Sequence, residues 1–455
     1  MKFIGGYTFK NFEGKAEPFL HEFPVPDTVI VPFSARLSAS YISLVRKGDR
    51  VYAGQKLIQC TNELPFALVS PVNGTIKEIT EKEFIISSEG TSSFEPIKNH
   101  TRSPWHLDRN TVIEIFCSSG CMFLFNDSFS SLKDFDRIKY IIINAVHNSP
   151  LNQSWTPEVI EDSSLLFNGL KTLGILFPLA EIILAVNKRN NTYFNTPAVG
   201  DLTSVQIMSD RYPQEYPELI VRDTIHRNLF TVEGTRDPAI LVIPYFHLIH
   251  IAETLTRGRP FIDRILMIAG PGVSRPAWYR VRIGTLYEEI KRRLFKSDDF
   301  GPWHIIRGDL FNGEVITSLN ACVLPTDNEI SIIREPANRE LFRFINPGFT
   351  FDSYAGTTIA EYIQVLPRQL DSAVHGGVRP CVQCNYCDEV CPVRIYPHII
   401  WKHVAAGLVE ESFRFKPYMC IGCRLCDYVC PSKIDVSHSV EKAKEAFHNL
   451  RRSNK

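Results

Sequence analysis

The chain has 455 residues, enough for about three or four domains of ordinary size and for real hydrophobic cores. Apolar residues make up 44% and charged residues 22%, the texture of a soluble globular protein. Lys plus Arg equals Asp plus Glu, 50 each, so no net charge draws the chain to nucleic acid or anionic lipid.

The start, Met1 to Tyr7, lacks the apolar run and small-residue cleavage site of a signal peptide. That predicts a reducing cytoplasm, where thiols stay free. The most apolar candidate for a membrane span, Gly174 to Val186, has 13 residues and contains Pro178 and Glu181. A span needs about 20. No transmembrane segment of its own is therefore expected.

Residues 1–30 are rich in Phe, Gly and Pro and predict an extended arm, because Gly5-Gly6, Pro24 and Pro26 oppose a helix. A compact β unit follows. Val45 to Leu57 reads as strand, turn, short strand, with Lys47-Gly48-Asp49 and Gly54-Gln55 at the turns. Ser70 to Ile79 reads as a second such half, with Asn73-Gly74 as a hairpin signal. The pattern is that of a lipoyl-type barrel-sandwich. Its tip, Thr61-Asn62-Glu63-Leu64, has no attachment lysine, so the unit is expected to be structural.

From about 105 to 250 the texture is α/β. Ile138 to Asn144 predicts a buried strand, and Asn144 to Ser154 a polar loop. Pro157 opens a helix carrying Val159, Ile160, Leu165, Leu166, Leu170 and Leu173, and Glu181 to Val186 returns as a strand. This is a βαβ unit of a Rossmann-like domain. Ligands in such folds lie at the carboxyl ends of strands, which makes Asn144, His147 and Asn148 candidates for a cofactor-pocket edge. The alternative is that they are solvated loop residues. No G-x-G-x-x-G or Walker motif accompanies them, and Cys117-Ser118-Ser119-Gly120-Cys121 is a poor phosphate cradle. Cys60, Cys117, Cys121 and Cys322 are scattered and are expected to be buried apolar residues.

Residues 262–325 predict a β-grasp-like module. A strand at 262–269 ends in Gly270-Pro271-Gly272. Trp278 to Ile283 is a second strand, Gly284-Thr285 caps a helix at 286–294, and Trp303 to Arg307 is a third. The loop Asp298 to Pro302 is expected to be exposed. Asn346-Pro347-Gly348 and His375-Gly376-Gly377 break the approach to the last region.

That region carries the most specific signal. Cys381, Cys384, Cys387 and Cys391-Pro392 form one C-x2-C-x2-C-x3-C-P run, and Cys420, Cys423, Cys426 and Cys430-Pro431 form another. This is the bacterial ferredoxin spacing for [4Fe–4S] clusters, in which the fourth cysteine ligates the other cluster. The spacing assigns Cys381, Cys384, Cys387 and Cys430 to one cluster, and Cys420, Cys423, Cys426 and Cys391 to the second. Zinc favours two separated C-x2-C pairs, and disulfides need an oxidising compartment. Between the runs, Pro397 starts a spacer helix with Ile400, Val404 and Leu408. After Pro431, Asp435 or Ser437 caps a last helix with Val440, Ala443, Phe447 and Leu450.

The 420–432 run resembles RnfC, a component of the Rnf electron-transport complex. Other stretches resemble that family and its relative NqrA, a component of the Na+-translocating NADH:quinone reductase. These are Lys47-Gly48-Asp49 with Gly54-Gln55, Asn148-Ser149-Pro150-Leu151, Phe167-Asn168-Gly169-Leu170-Lys171, and Ile268 to Pro271 with Arg282-Ile283-Gly284. The resemblance implies a multidomain α/β protein. Residues 1–100 would be arm and barrel-sandwich, 101–255 the α/β domain, 256–330 a β-grasp (SLBB-like) module, and 331–455 linker and helical ferredoxin-like two-cluster domain.

It also implies a peripheral subunit on the cytoplasmic side of the inner (cell) membrane. Its partners would be the integral-membrane subunits of a respiratory, ion-translocating, sodium-transporting oxidoreductase, of NADH:quinone or NADH:ferredoxin type. In RnfC the α/β domain is similar to a complex I subunit that binds NADH and FMN through a Gly-rich loop and a Glu-Cys-Glu-Pro loop. Here Cys117 to Cys121 and Val146 to Pro150 stand at those places, without the loop glycines or the carboxylates. NqrA is associated with quinone. Three readings follow: an electron relay through two clusters, an NADH-oxidising flavin subunit, and a quinone-associated subunit with structural clusters.

Overall fold

A computed structural model describes residues 3–9, 11–33, 41–61, 63–101, 103–129, 131–152, 164–194, 197–295, 303–318, 320–335, 354, 367–368, 370–372 and 377–453. The breaks at Asn346-Pro347-Gly348 and His375-Gly376, the loop Asp298 to Pro302 and the start of the Pro157 helix lie outside them.

After the arm, β1 (Glu17–Glu22) is followed by seven short strands: β2 (Thr28–Pro32), β3 (Tyr41–Ser43), β4 (Arg50–Val51), β5 (Lys56–Cys60), β6 (Ala67–Val69), β7 (Gly74–Ile79) and β8 (Glu83–Ser88). They make two antiparallel sheets, β2-β8-β7-β4 and β3-β5-β6. Alternation does the sorting. In β7, Gly74 and Ile76 are buried while Thr75 and Lys77 are exposed. Val29, Val31, Leu57, Ile76, Phe84 and Ile86 fill the space between the sheets.

The Asn73-Gly74 hairpin expected from sequence is not a hairpin. Asn73 is buried at the entry to β7, where its Oδ1 accepts the Ala53 N–H at 2.8 Å and its Nδ2 donates to Thr91 and Ser93. The turn of that hairpin is Thr80 to Lys82, closed by the Thr80 hydroxyl. A buried Asn that satisfies three groups has the same local sequence as a turn Asn, and only packing separates them.

In the next region β9 (Tyr140–Ala145), β10 (Glu181–Asn187), β11 (Ser204–Met208) and β12 (Ile240–Pro244) form an all-parallel sheet, in the order β11-β10-β9-β12. Both faces are covered, which is why the strands are continuously apolar. Ile141, Ile143, Leu184 and Val186 pack with helices Arg109–Ser119, Ser164–Leu176 and Phe246–Arg257. Ile142, Ile183, Ala185 and Val242 face helix Pro217–Ile225. Gly169 lets two helices touch, since a Cβ there would sit 2.6 Å from the Leu248 carbonyl oxygen.

Beyond it, β13 (Asp263–Ala269), β14 (Ala277–Arg282), helix Tyr287–Leu294, β15 (Trp303–Arg307), β16 (Glu314–Ile316) and β17 (Glu329–Arg334) follow. The sheet runs β1-β14-β13-β17-β15-β16, with β13 parallel to β17 and the arm's β1 parallel to β14. Thr285 does not cap the helix. Its hydroxyl bonds the Arg282 carbonyl, and Leu286 stands at the cap.

A buried ion cluster ties this sheet to the preceding domain. Arg280 contacts Glu253 at 2.9 Å and Asp263 at 3.0 Å. Burial alone would raise the Asp263 carboxyl, but Arg280 and Arg259 outweigh it and hold it below the usual carboxylate range.

The C-terminal region is helical, with helices Tyr386–Val390, Pro397–Ala405, Leu425–Tyr428 and Val436–Ser453. Asp435 accepts the His438 N–H and starts the last helix. The spacer helix ends at Ala405, so Leu408 lies beyond it and is exposed. Val440, Ala443 and Phe447 are buried, as their spacing predicts, and Leu450 is exposed.

The arm reaches this region from the other end of the chain. Gly6 N–H donates to the Val390 carbonyl, and Tyr7 and Tyr212 exchange both backbone bonds. Gly5 lies so close that a Cβ would sit 2.7 Å from the Cys391 carbonyl oxygen. Phe9, Phe12, Tyr212, Phe311 and Tyr428 then close an aromatic cluster at the junction. No helix among the described residues is long and apolar enough to cross a membrane.

Candidate metal centre

The two cysteine runs adopt the same backbone. Gln383, Asn385 and Arg394 have φ of 56°, 62° and 53°. At the same offsets in the second run, Gly422, Arg424 and Lys433 have φ of 72°, 55° and 54°. Left-handed residues interleaved with right-handed ones turn successive N–H groups inward, the geometry of an anion-binding nest. The amides do point at sulfur. Gly422 N–H lies 3.5 Å from Cys420 Sγ, and backbone amides of Val393, Arg394 and Ile395 face Cys391.

These turns bring Cys381, Cys384, Cys387 and Cys430 together around one open pocket. Three come from the first run and one from the second. The other four lie close enough to perturb one another electrostatically: Cys420, Cys423 and Cys426 from the second run, and Cys391 from the first. Burial first, and then Asp388 and Cys384, push the Cys387 thiol up to about 12. Burial pushes Cys420 up to about 11 and drives Cys423 and Cys426 well above the ordinary range. Buried this way, Cys387, Cys420, Cys423 and Cys426 ionise together only if a cation supplies the opposing charge. Four sulfurs per set is the donor count that a [4Fe–4S] cluster takes.

His398 and Trp401, from the spacer helix, also line the cavity. His398 Nδ1 approaches Asp388 Oδ2 at 2.7 Å, and ligand atoms of Cys387, Asp388 and His398 all fall within 4.8 Å of one another. Sequence reasoning missed these two. Their only signal was position, at the start and second turn of the helix after Pro397.

Asn144, His147 and Asn148 sit at the carboxyl edge of the parallel sheet, Asn148 buried and Asn144 and His147 half-buried. Asn148 Nδ2 donates to the Ser209 carbonyl, and its Oδ1 accepts from Asn187 Nδ2 at 2.8 Å. Asn187 Nδ2 also lies 2.9 Å from Asp210 Oδ1, and Asn187 Oδ1 accepts the His147 N–H. Asn144 Nδ2 donates to the Glu215 carbonyl, and Asn152 Nδ2 lies 3.1 Å from His147 Nδ1. Burial, and then Arg189, pull His147 down to about 3, so its ring is neutral at physiological pH.

Beneath the edge lie three carboxylates that sequence reasoning did not find. Burial, then Asp309, raises Glu215 to about 8. Burial raises Asp309, and burial followed by Asp309 and Glu215 raises Glu329 well above the usual range. The buried Tyr212 hydroxyl sits 3.0 Å from Asp309 Oδ1 and 3.1 Å from the Cys423 carbonyl oxygen, within reach to donate to either. Cys60, Cys117, Cys121 and Cys322 are buried as expected, and burial raises all four thiols.

Residues 1–94 match the RnfC barrel sandwich hybrid domain, and residues 380–434 match the 4Fe-4S dicluster domain. The resemblance seen in the sequence holds. The second match spans both cysteine runs, so the cofactor class of this domain is the 4Fe-4S cluster.

The chain is similar to NqrA of the Na(+)-translocating NADH-quinone reductase from Actinobacillus pleuropneumoniae, at 25% identity over 388 residues, 82% of this chain and 83% of the relative. It is 24% identical to the corresponding protein of Yersinia pestis over 373 residues, 80% of each chain. Among solved structures, the NAD+-reducing [NiFe]-hydrogenase in the H2-reduced state aligns at 11% identity and a TM-score of 0.38, over 50% of this chain and 48% of that one. A likeness at that level carries no argument.

Proposed function

We propose that the protein is a peripheral electron-transfer subunit of a membrane-bound, sodium- or other ion-translocating NADH:quinone reductase or Rnf-like complex. It would hold two [4Fe–4S] clusters, one on Cys381, Cys384, Cys387 and Cys430, the other on Cys420, Cys423, Cys426 and Cys391. The observation that carries this reading is the exchange of the fourth cysteine. Cys430 reaches the first run's cavity and Cys391 the second run's sulfurs, which sets two centres side by side. When bound, each cluster takes up and releases one electron.

The chain's own groups do the rest. The inward amides stabilise negative sulfur, and burial disfavours added charge, so the two effects set the potential from opposite sides. The parallel order β11-β10-β9-β12 supports reading 101–255 as Rossmann-like. The order β14-β13-β17-β15-β16, with a parallel central pair, supports a β-grasp module in 256–330.

The name of the relatives' complex favours a second reading, in which the protein is associated with quinone and the clusters are structural. A flavin-linked NADH oxidase is the weaker one, because the sheet edge is filled by the Asn148–Asn187–Asp210 network.

The test is anaerobic purification with iron and acid-labile sulfide counted. About eight irons per chain, reducible by dithionite but not by NADH alone, is expected. Rapid bleaching by NADH with bound flavin would put an enzyme in place of the relay. Zinc without sulfide would end the electron-transfer reading.

A further inference from the structure

The two cysteine runs share one backbone but not one environment. The shift that carries Cys381 onto Cys420 carries Val382 onto Ile421 and Gln383 onto Gly422. In the second run this face is covered by the rest of the chain. Ile421 packs against the aromatic cluster, Gly422 lies under the Asn312 side chain, and the Cys423 carbonyl meets the Tyr212 hydroxyl. The covering loop pairs an aromatic ring, Phe311, with a carboxylate, Asp309, whose Oδ1 accepts the Phe311 N–H.

In the first run the same face is bare. Val382 is 66% exposed, Val378 is 76% exposed, and Gln383 is exposed too. Exposed valines beside a ligand set are a cost that a partner would remove. The face is also basic. The exposed Arg379 and the half-buried Lys433 lie close enough to repel, and the Arg379 backbone N–H bonds the Ser432 carbonyl. Neither forms an ion pair among the described residues. Of the run's two acids, Asp388 lies 2.7 Å from His398 Nδ1 and Glu389 accepts from the Tyr354 hydroxyl.

Resting on the electron-transfer reading, we propose that the face formed by Val378, Arg379, Val382, Gln383 and Lys433 docks an acidic redox protein. Its carboxylates would meet Arg379 and Lys433, and an apolar or aromatic residue would cover the two valines. The second run shows how such a cover is built, because the chain supplies its own there. The bare face would bring the partner's redox centre against Cys381 and Cys384, which line the same pocket as Val382 and Gln383.

The test uses the full chain, with its clusters counted first, and a small acidic [2Fe–2S] ferredoxin as probe. Calorimetric binding at low ionic strength is compared for the parent, Arg379→Glu, Val382→Asp and the remote control Lys77→Glu. Hydrogen exchange of residues 377–385 is followed with and without ferredoxin. We expect affinity to fall about tenfold or more in both face variants and not in Lys77→Glu. Binding should weaken steeply with salt, and the 377–385 amides should become protected.

Equal losses in Lys77→Glu and Arg379→Glu, or no ferredoxin binding by the iron-loaded parent, would overturn the proposal while leaving the relay reading intact. So would protection of 377–385 by phosphatidylglycerol vesicles alone, or by concentration-dependent self-association. Absence of iron and sulfide from the parent would instead overturn the relay reading itself.

Discussion

Two places in this molecule were candidates for chemistry, and they are built in opposite ways. At the carboxyl edge of the parallel sheet, side chains answer one another. Asn187 serves His147, Asn148 and Asp210 at once. At the cysteine runs the polar groups turn towards sulfur instead. Cys381, Cys384, Cys387 and Cys430 converge on one open pocket, and in both runs backbone amides face cysteine sulfurs. The lesson is that topology marks where a site can form, while the donor set marks what could occupy it.

The sharpest way to break this contrast is at the exchanged cysteine. Replacing Cys430 with Ala should remove about half of the iron, and the remaining spectrum should match that of Cys381→Ala rather than Cys420→Ala. Iron counting and low-temperature EPR of the three variants decide it.

Next comes the filled edge. Asn187→Ala strands the buried Asn148 side-chain carbonyl oxygen and the half-buried His147 amide, while the exposed Asp210 turns to water, so stability should fall by about 1–3 kcal/mol, read as a lower denaturant midpoint. Iron content should not change.

Glu215 gives a smaller, pH-dependent effect. Its folded pKa, about 8, lies above its ordinary value. Between the two values the folded state holds a proton that the unfolded state releases, so stability is full in acid and falls as pH rises towards 8. Glu215→Gln should flatten that fall by of order 1–3 kcal/mol between pH 5 and 9, measured by urea unfolding at each pH. Glu329 and Asp309 shift in the same direction and leave a residual slope. The smallest effect is none at all: excess FMN or NADH should leave the melting temperature of the loaded protein unmoved, because the edge side chains bond one another.

Sequence carried some of this and hid the rest, for physical reasons. The 4Fe-4S character of the cysteine runs was legible because their spacing is local and few other structures need it. β9 and β10 were legible because both faces of a parallel sheet are buried, which leaves unbroken apolar runs. Asn73 was misread because a turn Asn and a buried bridging Asn share one local signature. Glu215, Asp309 and Glu329 lie far apart along the chain, and only the docking of the six-stranded sheet under the parallel one brings them near each other. β1 could not be placed in that sheet from sequence, because its partner β14 lies more than half the chain away.

The arm bears on how the protein is made. Residues 5–14 are synthesised well before their partners, which include Tyr212, Gly270, Arg368 and Val390, and a side chain at Gly5 would clash with the backbone of Cys391. At roughly 5–20 residues per second the arm waits on the order of tens of seconds for its seat to be synthesised. The arm is thus among the last segments to lock. Until it does, the backbone at Val390 and Cys391 lacks the wall that Gly5 and Gly6 provide.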